Sequence, residues 1–373
     1  MDITKLIREN CKGFEPYVAG KPIETIKREL KLKSVIKLAS NENNLGPSKK
    51  AIAAIKKNIN NVYFYPDSNS FELKKALSKK YKLPVENLFT GAGGDEIIEI
   101  LAKLFFTPED EIVISKHSFV RYGMAVQMMN SKAVIVPMRE GLVQDLNAML
   151  DACTENTKAI FITNPNNPTG TYNNKTNLEN FLSKVKINKF GEKPLIILDE
   201  AYFEYGKLQK DFPDGLDYLK DNENLIIFRT FSKVYGLAGL RVGYGFAHAD
   251  IVDYIERTRP PFNVNALAQA AAAASLSDSG QVKKGQTLIK AEKKYLYSEF
   301  NKLGIKFIET AANFILINVA PFIGQEIFSQ LLKKGVIVRA MGEYDLSDWV
   351  RITIGLHKEN EIFIKKLKEV LNK

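Results

Sequence analysis

The chain has 373 residues, 45% of them hydrophobic and 26% charged, which is the make-up of a globular protein with a large core rather than of a disordered or bilayer-embedded one. Its formal charge is +10, but the 53 basic residues are interleaved with 43 acidic ones and form no basic cluster with aromatic neighbours. Nucleic acid is therefore not an expected partner, and the excess charge suits the attraction of an anionic small molecule.

The N-terminal MDITKLIREN mixes charged and apolar residues and does not read as a secretory signal. With no apolar run long enough to cross a bilayer, a cytoplasmic location and no membrane partner are expected. Cys11 and Cys153 lie far apart and away from histidine clusters, so neither a disulfide framework nor a metal site is expected. From there the chain alternates Ile- and Val-rich runs with helix-patterned segments. The runs are EIVIS (111–115), AVIVPM (133–138), AIFIT (159–163), LIILD (195–199) and LIIFRT (225–230); residues 95–106 and 174–186 suit helices. This alternation predicts an α/β fold whose large domain has a mostly parallel sheet flanked by helices. After Pro260-Pro261 an alanine-rich stretch and a charged helical segment lead to a smaller α+β unit, with strands near 314–319 and 350–355 and an amphipathic C-terminal helix. Residues 41–260 are expected to form the large domain, and residues 1–40 with 261–373 the small one. No tandem repeat is present.

Several segments carry chemistry. Gly91-Ala92-Gly93-Gly94-Asp95-Glu96 opens a helix, so its backbone N–H groups and the positive end of the helix dipole can hold a phosphate, although glycines also cap ordinary helices. Asn164-Pro165-Asn166-Asn167-Pro168-Thr169-Gly170 closes the run AIFIT and could be a plain turn. Asp199-Glu200-Ala201-Tyr202 ends the run LIILD, placing Asp199 at the carboxyl end of a parallel strand, where open α/β sheets bind ligands. An aspartate there can also be a helix cap. The longest motif is Thr230-Phe231-Ser232-Lys233-Val234-Tyr235-Gly236-Leu237-Ala238-Gly239-Leu240-Arg241. A guanidinium fork at Arg241 can grip two phosphate oxygens while the Thr230 and Ser232 hydroxyls add donors.

In this order the motifs resemble the aspartate-aminotransferase fold type of pyridoxal-phosphate (PLP) enzymes, from about residue 15 to the C-terminus. The resemblance implies that Lys233 bonds covalently to PLP and serves as acid and base, and that Asp199 faces the pyridine nitrogen. It further implies that Tyr202 and Asn167 reach the ring 3′-oxygen and that Phe119 stacks on the ring. The cofactor phosphate then falls to Gly93, Gly94, Asp95, Thr230, Ser232 and Arg241. Many relatives carry serine or alanine where Gly94 stands, so backbone donors serve there. Tyr65 matches a tyrosine that reaches the cofactor phosphate of the neighbouring subunit, which implies a homodimer.

Pro16-Tyr17-Val18-Ala19-Gly20-Lys21, residues 37–46, Val338-Arg339 and residues 350–355 resemble the histidinol-phosphate aminotransferase subfamily. Tyr17, Arg339 and Arg351 are then expected to hold the substrate phosphate. The implied reaction converts L-histidinol phosphate and 2-oxoglutarate into imidazole acetol phosphate and L-glutamate, a step of histidine biosynthesis. His357, where relatives carry a small polar residue, departs from the pattern. Aminotransfer from aromatic amino acids or another phosphorylated amine, decarboxylation of a phospho-amino acid, and a non-catalytic PLP-binding module stay open as alternatives.

Overall fold

The computed structural model describes residues 2–14, 23–189 and 191–372. The apolar runs assemble into a seven-stranded sheet in the spatial order Leu88–Gly91, Gly243–Phe246, Leu225–Thr230, Leu195–Asp199, Thr157–Thr163, Glu111–Ser115, Lys132–Val136. Neighbours are parallel except for Gly243–Phe246, which is antiparallel to both its partners. The central strands are buried on both faces, which is why they read as unbroken apolar runs rather than alternating ones. Edge strand Lys132–Val136 is largely exposed, and Pro137, which has no N–H for a ladder, separates it from a short hairpin begun by Met138–Arg139.

Helix Gly94–Phe105 buries Ile97, Ile98 and Leu101 against Phe89, Ile112 and Phe228, each worth roughly 1.5–3 kcal/mol of transfer free energy. The alanine run forms helix Ala266–Leu276, and its small side chains allow close packing on helices Lys49–Asn58 and Phe71–Tyr81, with Ala268, Ala271 and Ala272 fully buried. Behind the sheet's carboxyl edge, Arg229 is buried between Glu200 Oε2 and Asp214 Oδ1, both at 2.6 Å, and its guanidinium lies 3.3 Å from the Phe203 ring centroid. Successive strand residues face opposite sides, so this pair ties together the strand ends that present Asp199 and Thr230 on the other face.

A second sheet orders Phe307–Ile308, Phe314–Asn318, Leu346–Thr353 and Arg339–Met341, all antiparallel. Helices Gly324–Lys333 and His357–Leu371 accompany it. The N-terminal part contacts both units: Asn10 Nδ2 donates to Gln127 O at 2.7 Å, whereas Ile36–Lys37 pairs in parallel with Val336–Ile337. Residues after that strand run across the junction, where Thr353 N donates to Leu38 O and Asn41 N to Thr353 Oγ1, both at 2.8 Å. This crossing carries Ser40 and Asn41 into the cleft between the units.

Candidate active site

One cleft gathers the carboxyl ends of the central strands, the N-terminus of helix Gly94–Phe105, and one face of the second sheet. At its floor Asp199 is buried, with Oδ1 accepting from Ala201 N at 2.9 Å and Oδ2 from the Tyr122 hydroxyl at 2.5 Å. Tyr122 is itself fully buried, stacked on Phe161 at 4.5 Å, and its hydroxyl lies 2.9 Å from Thr163 Oγ1. Burial pushes the Asp199 carboxyl up to about 6, and the hydrogen bonds from Tyr122 and Ala201, with the nearby charge of Lys233, pull back against that rise. The result is a carboxylate that gains from any cationic N–H placed beside it.

Lys233 follows strand Leu225–Thr230, and its Nζ lies 3.4 Å from Ser40 O and 5.3 Å from the Tyr202 ring centroid. Tyr202 is buried, and its hydroxyl accepts from Asn41 Nδ2 at 2.8 Å. Because Asn41 takes one lone pair, the Tyr202 O–H is left to donate into the cleft. Asn167 stands opposite. Arg351 Nη1 donates to its Oδ1, which turns the Asn167 amide NH₂ toward other acceptors, and Arg351 Nη2 donates to Ala39 O at 2.9 Å.

The third corner is a cradle for an anion. Helix Gly94–Phe105 begins without a side-chain cap, so its first N–H groups carry the positive end of the dipole unshared. Gly93 precedes it at φ +86°, and a Cβ there would lie 2.4 Å from Arg241 Nη2, so only glycine lets the guanidinium approach this backbone. Arg241, in the left-handed region at φ +54°, pairs with Asp95 Oδ2 at 3.3 Å. Beside them Thr230 Oγ1 lies 2.9 Å from Ser232 Oγ. A doubly charged phosphate fits this donor set, in which Asp95 keeps Arg241 oriented.

Of the residues singled out in the sequence, the cleft brings together Lys233, Asp199, Tyr202, Asn167, Phe119, Gly94, Asp95, Thr230, Ser232, Arg241, Arg339 and Arg351. Gly93 abuts it through Arg241. Tyr65 does not line it: 82% exposed, it stacks on Phe262 at 4.7 Å. Tyr17 lies outside the described residues. His357 gains a physical account, for its Nδ1 lies 3.1 Å from Glu292 Oε1 at the start of the C-terminal helix, away from the cleft. Sequence reasoning missed Tyr122, Thr163, Ser40, Asn41, Glu343 and Tyr344. Tyr122 had a readable signal, since it stands three residues after Phe119, the residue that caps the helix carrying it.

The family model described as aminotransferase class I and II matches residues 33–367. The chain is 44% identical over 366 residues to "Histidinol-phosphate aminotransferase 2" of Carboxydothermus hydrogenoformans, covering 98% of this chain and 99% of that one. It is 46% identical over 365 residues to "Histidinol-phosphate aminotransferase" of Moorella thermoacetica, covering 98% of this chain and 92% of that one. The chain belongs to the class I and II aminotransferases. This aminotransferase shares its fold with the crystal structure of histidinol-phosphate aminotransferase from Sinorhizobium meliloti in complex with pyridoxal-5′-phosphate, at a TM-score of 0.88 and 24% identity, covering 98% of this chain and 97% of that one. Among the described residues of the aminotransferase, no group of His, Cys, Asp and Glu could hold a metal ion, and no helix is long and apolar enough to cross a membrane.

Proposed function

We propose that this aminotransferase uses PLP to move the amino group of L-histidinol phosphate to 2-oxoglutarate, giving imidazole acetol phosphate and L-glutamate. The observation that carries the reading is that Arg339 and Arg351 face the same cleft as Lys233 and Asp199, in a chain whose near-full-length relatives bear that enzyme's name. The residues present fit the cofactor. The cradle that a Cβ on Gly93 would fill suits its phosphate, and the buried Asp199 carboxylate suits a protonated ring nitrogen. When bound, PLP supplies the carbonyl that takes the amino group and the ring that accepts the electron pair left on the substrate α-carbon.

The chain's own groups do the rest. Lys233 Nζ would anchor the cofactor and, once free, would move the α-proton as base and acid. Asp199 holds the proton of the ring nitrogen, and Tyr122 holds Asp199. The Tyr202 hydroxyl and the Asn167 amide would serve as donors to the ring oxygen, and Phe119 would cover the ring face. Arg351 receives the anionic end of each substrate in turn, with Arg339 and Tyr17 as further partners of the phosphate.

The active form on this reading is a cytoplasmic homodimer in which Tyr65 reaches the neighbouring subunit's cofactor phosphate. Val62, Tyr63, Phe64, Tyr65 and Phe262 are exposed apolar and aromatic residues of the kind that another subunit covers.

The test is a donor panel with 2-oxoglutarate and the PLP-loaded protein: histidinol phosphate, histidinol, phenylalanine and phosphothreonine. A kcat/KM for histidinol phosphate on the order of a hundredfold above that for histidinol is expected, from the charge pairing of one phosphate in a partly desolvated site. Equal rates with and without the phosphate, or carbon dioxide released from phosphothreonine, would overturn the assignment.

A further inference from the structure

The substrate end of the cleft holds a charged group that the reaction as described does not use. Arg339 and Arg351 are direct cross-strand partners on neighbouring antiparallel strands, so their side chains share a face and both charges line one cleft. Like charges so placed repel, and the two are relieved differently. Arg351, 6% exposed, is held by Asn167 Oδ1 and Ala39 O, its Nε is buried without a hydrogen-bond partner, and no carboxylate pairs with it among the described residues. Arg339 instead meets a carboxylate: its Nε and Nη2 donate to Glu343 Oε1 at 3.1 and 2.5 Å. Glu343 lies in the turn Gly342–Tyr344 that joins the two strands, four residues from Arg339, and lines the same cleft.

We propose that Glu343 is a specificity-determining residue, a built-in competitor for Arg339 that a substrate phosphate displaces and a single carboxylate does not. The inference rests on the functional reading above, in which one site takes a phosphate and a carboxylate in turn. Charge matching carries it. With Glu343 on Arg339 the two arginines and the glutamate sum to +1, which one carboxylate neutralises through Arg351. A phosphate monoester carries close to two negative charges at neutral pH. It is matched only when Glu343 leaves and both guanidinium groups turn to the ligand, each able to present a fork to two phosphate oxygens. Glu343 has a way out, because its side chain is 29% exposed whereas that of Arg339 is only 14%. The turn also keeps the carboxylate next to Arg339 after displacement, so it competes at high local concentration and speeds release of the phosphorylated product.

The test uses the PLP-loaded enzyme, in which the cofactor's own phosphate site is filled, and measures inhibition of the glutamate half-reaction by inorganic phosphate and by acetate at pH 8. Glu343→Gln keeps the shape and removes the charge. It should lower the inhibition constant for phosphate about tenfold and change that for acetate less than twofold. Glu343→Asp retains the charge and should keep most of the wild-type discrimination, so a response equal to that of the glutamine variant would overturn the proposal. So would an unchanged phosphate constant, or an equal gain for both anions. If phosphate inhibits neither wild type nor variants while acetate inhibits all three, the phosphate reading of the site falls as well. Binding of inorganic phosphate to the borohydride-reduced enzyme, followed by calorimetry, gives the same comparison without turnover.

Discussion

Asp199 is held in its cleft against the preference of its surroundings, and that opposition can be measured. Burial raises its carboxyl from 3.8 to about 6, so the folded chain binds this proton more tightly than the unfolded one. Stability from this group is therefore full below pH 3.8 and is lost as pH rises through about 6. Asp199→Asn should make the cofactor-free protein more stable at pH 8, by up to roughly 3 kcal/mol, with the gain shrinking toward pH 5. Urea melts at the two pH values check this, and an equal or lower midpoint for the variant at pH 8 would contradict it. The same change should remove most turnover, since an amide cannot take up the charge of a protonated ring nitrogen. Tyr122→Phe deletes the hydroxyl that opposes the rise, so the Asp199 carboxyl should move further up and kcat should fall about tenfold or more, the value of one hydrogen bond to a charged group. An acid limb of the kcat profile that stays in place would show that Tyr122 only packs. At this scale Lys233, Asp199 and Arg241 were legible because each sits at a fixed place in a motif whose chemistry demands that residue type. Glu343 was not, and Tyr122 could be read only as a neighbour of Phe119, because their meaning depends on a cross-strand neighbour in one case and on a partner 77 residues away in the other.

Among the elements, the strands and the helices around them follow from the sequence because the buried runs are short, β-branched and bounded by turns. The turns that aim the site were readable only in part. Asn164 to Gly170 can be read as a plain turn as well as the motif that carries Asn167, and neither reading shows that it docks between the two sheets: Gly170 N donates to Asn166 O, and Ala311 N to Gly170 O, both at 2.8 Å. Gly170 has φ +76°, and a Cβ there would lie 2.2 Å from Thr310 Oγ1. Gly170→Ala should cost about 1–3 kcal/mol of stability through that clash and the left-handed backbone, and should displace Asn167. Gly93→Ala should add a loss at the cradle to a cost of the same kind, since Gly93 also has a positive φ of +86°. The added methyl meets the Arg241 guanidinium rather than the core, so PLP affinity should fall at least tenfold, more than the stability cost alone explains. Equilibrium binding of PLP and thermal melts on both glycine variants separate the two effects. A loss of PLP affinity in Gly170→Ala as large as in Gly93→Ala would show that the cradle is not confined to the helix start.

For the whole molecule, the sequence conveys an α/β unit followed by a smaller α+β unit. It says less about the first 40 residues, because short polar segments take their place from whatever they pack on: Asn10 meets the helix Val120–Met128, while Ile36–Lys37 joins the strand at Val336. That crossing matters for function, since it sets Ala39 against Arg351 and Asn41 against Tyr202. The cleft thus joins the cofactor end to the substrate end through a continuous chain of contacts, Asn41 to Tyr202 on one wall and Asn167 to Arg351 on the other. The central claim is that this one cleft runs both half-reactions, with Lys233 at the chemistry and Arg351 at the anion. It is tested most directly by single-turnover kinetics of wild type, Arg351→Lys and Arg351→Ala with glutamate and with histidinol phosphate separately. Lysine keeps the charge and loses the fork, so both donors should slow; alanine should cost about 2–4 kcal/mol with each, while PLP stays bound through Arg241 and the Gly93 cradle. Unchanged rates with both donors in the alanine variant would contradict the account.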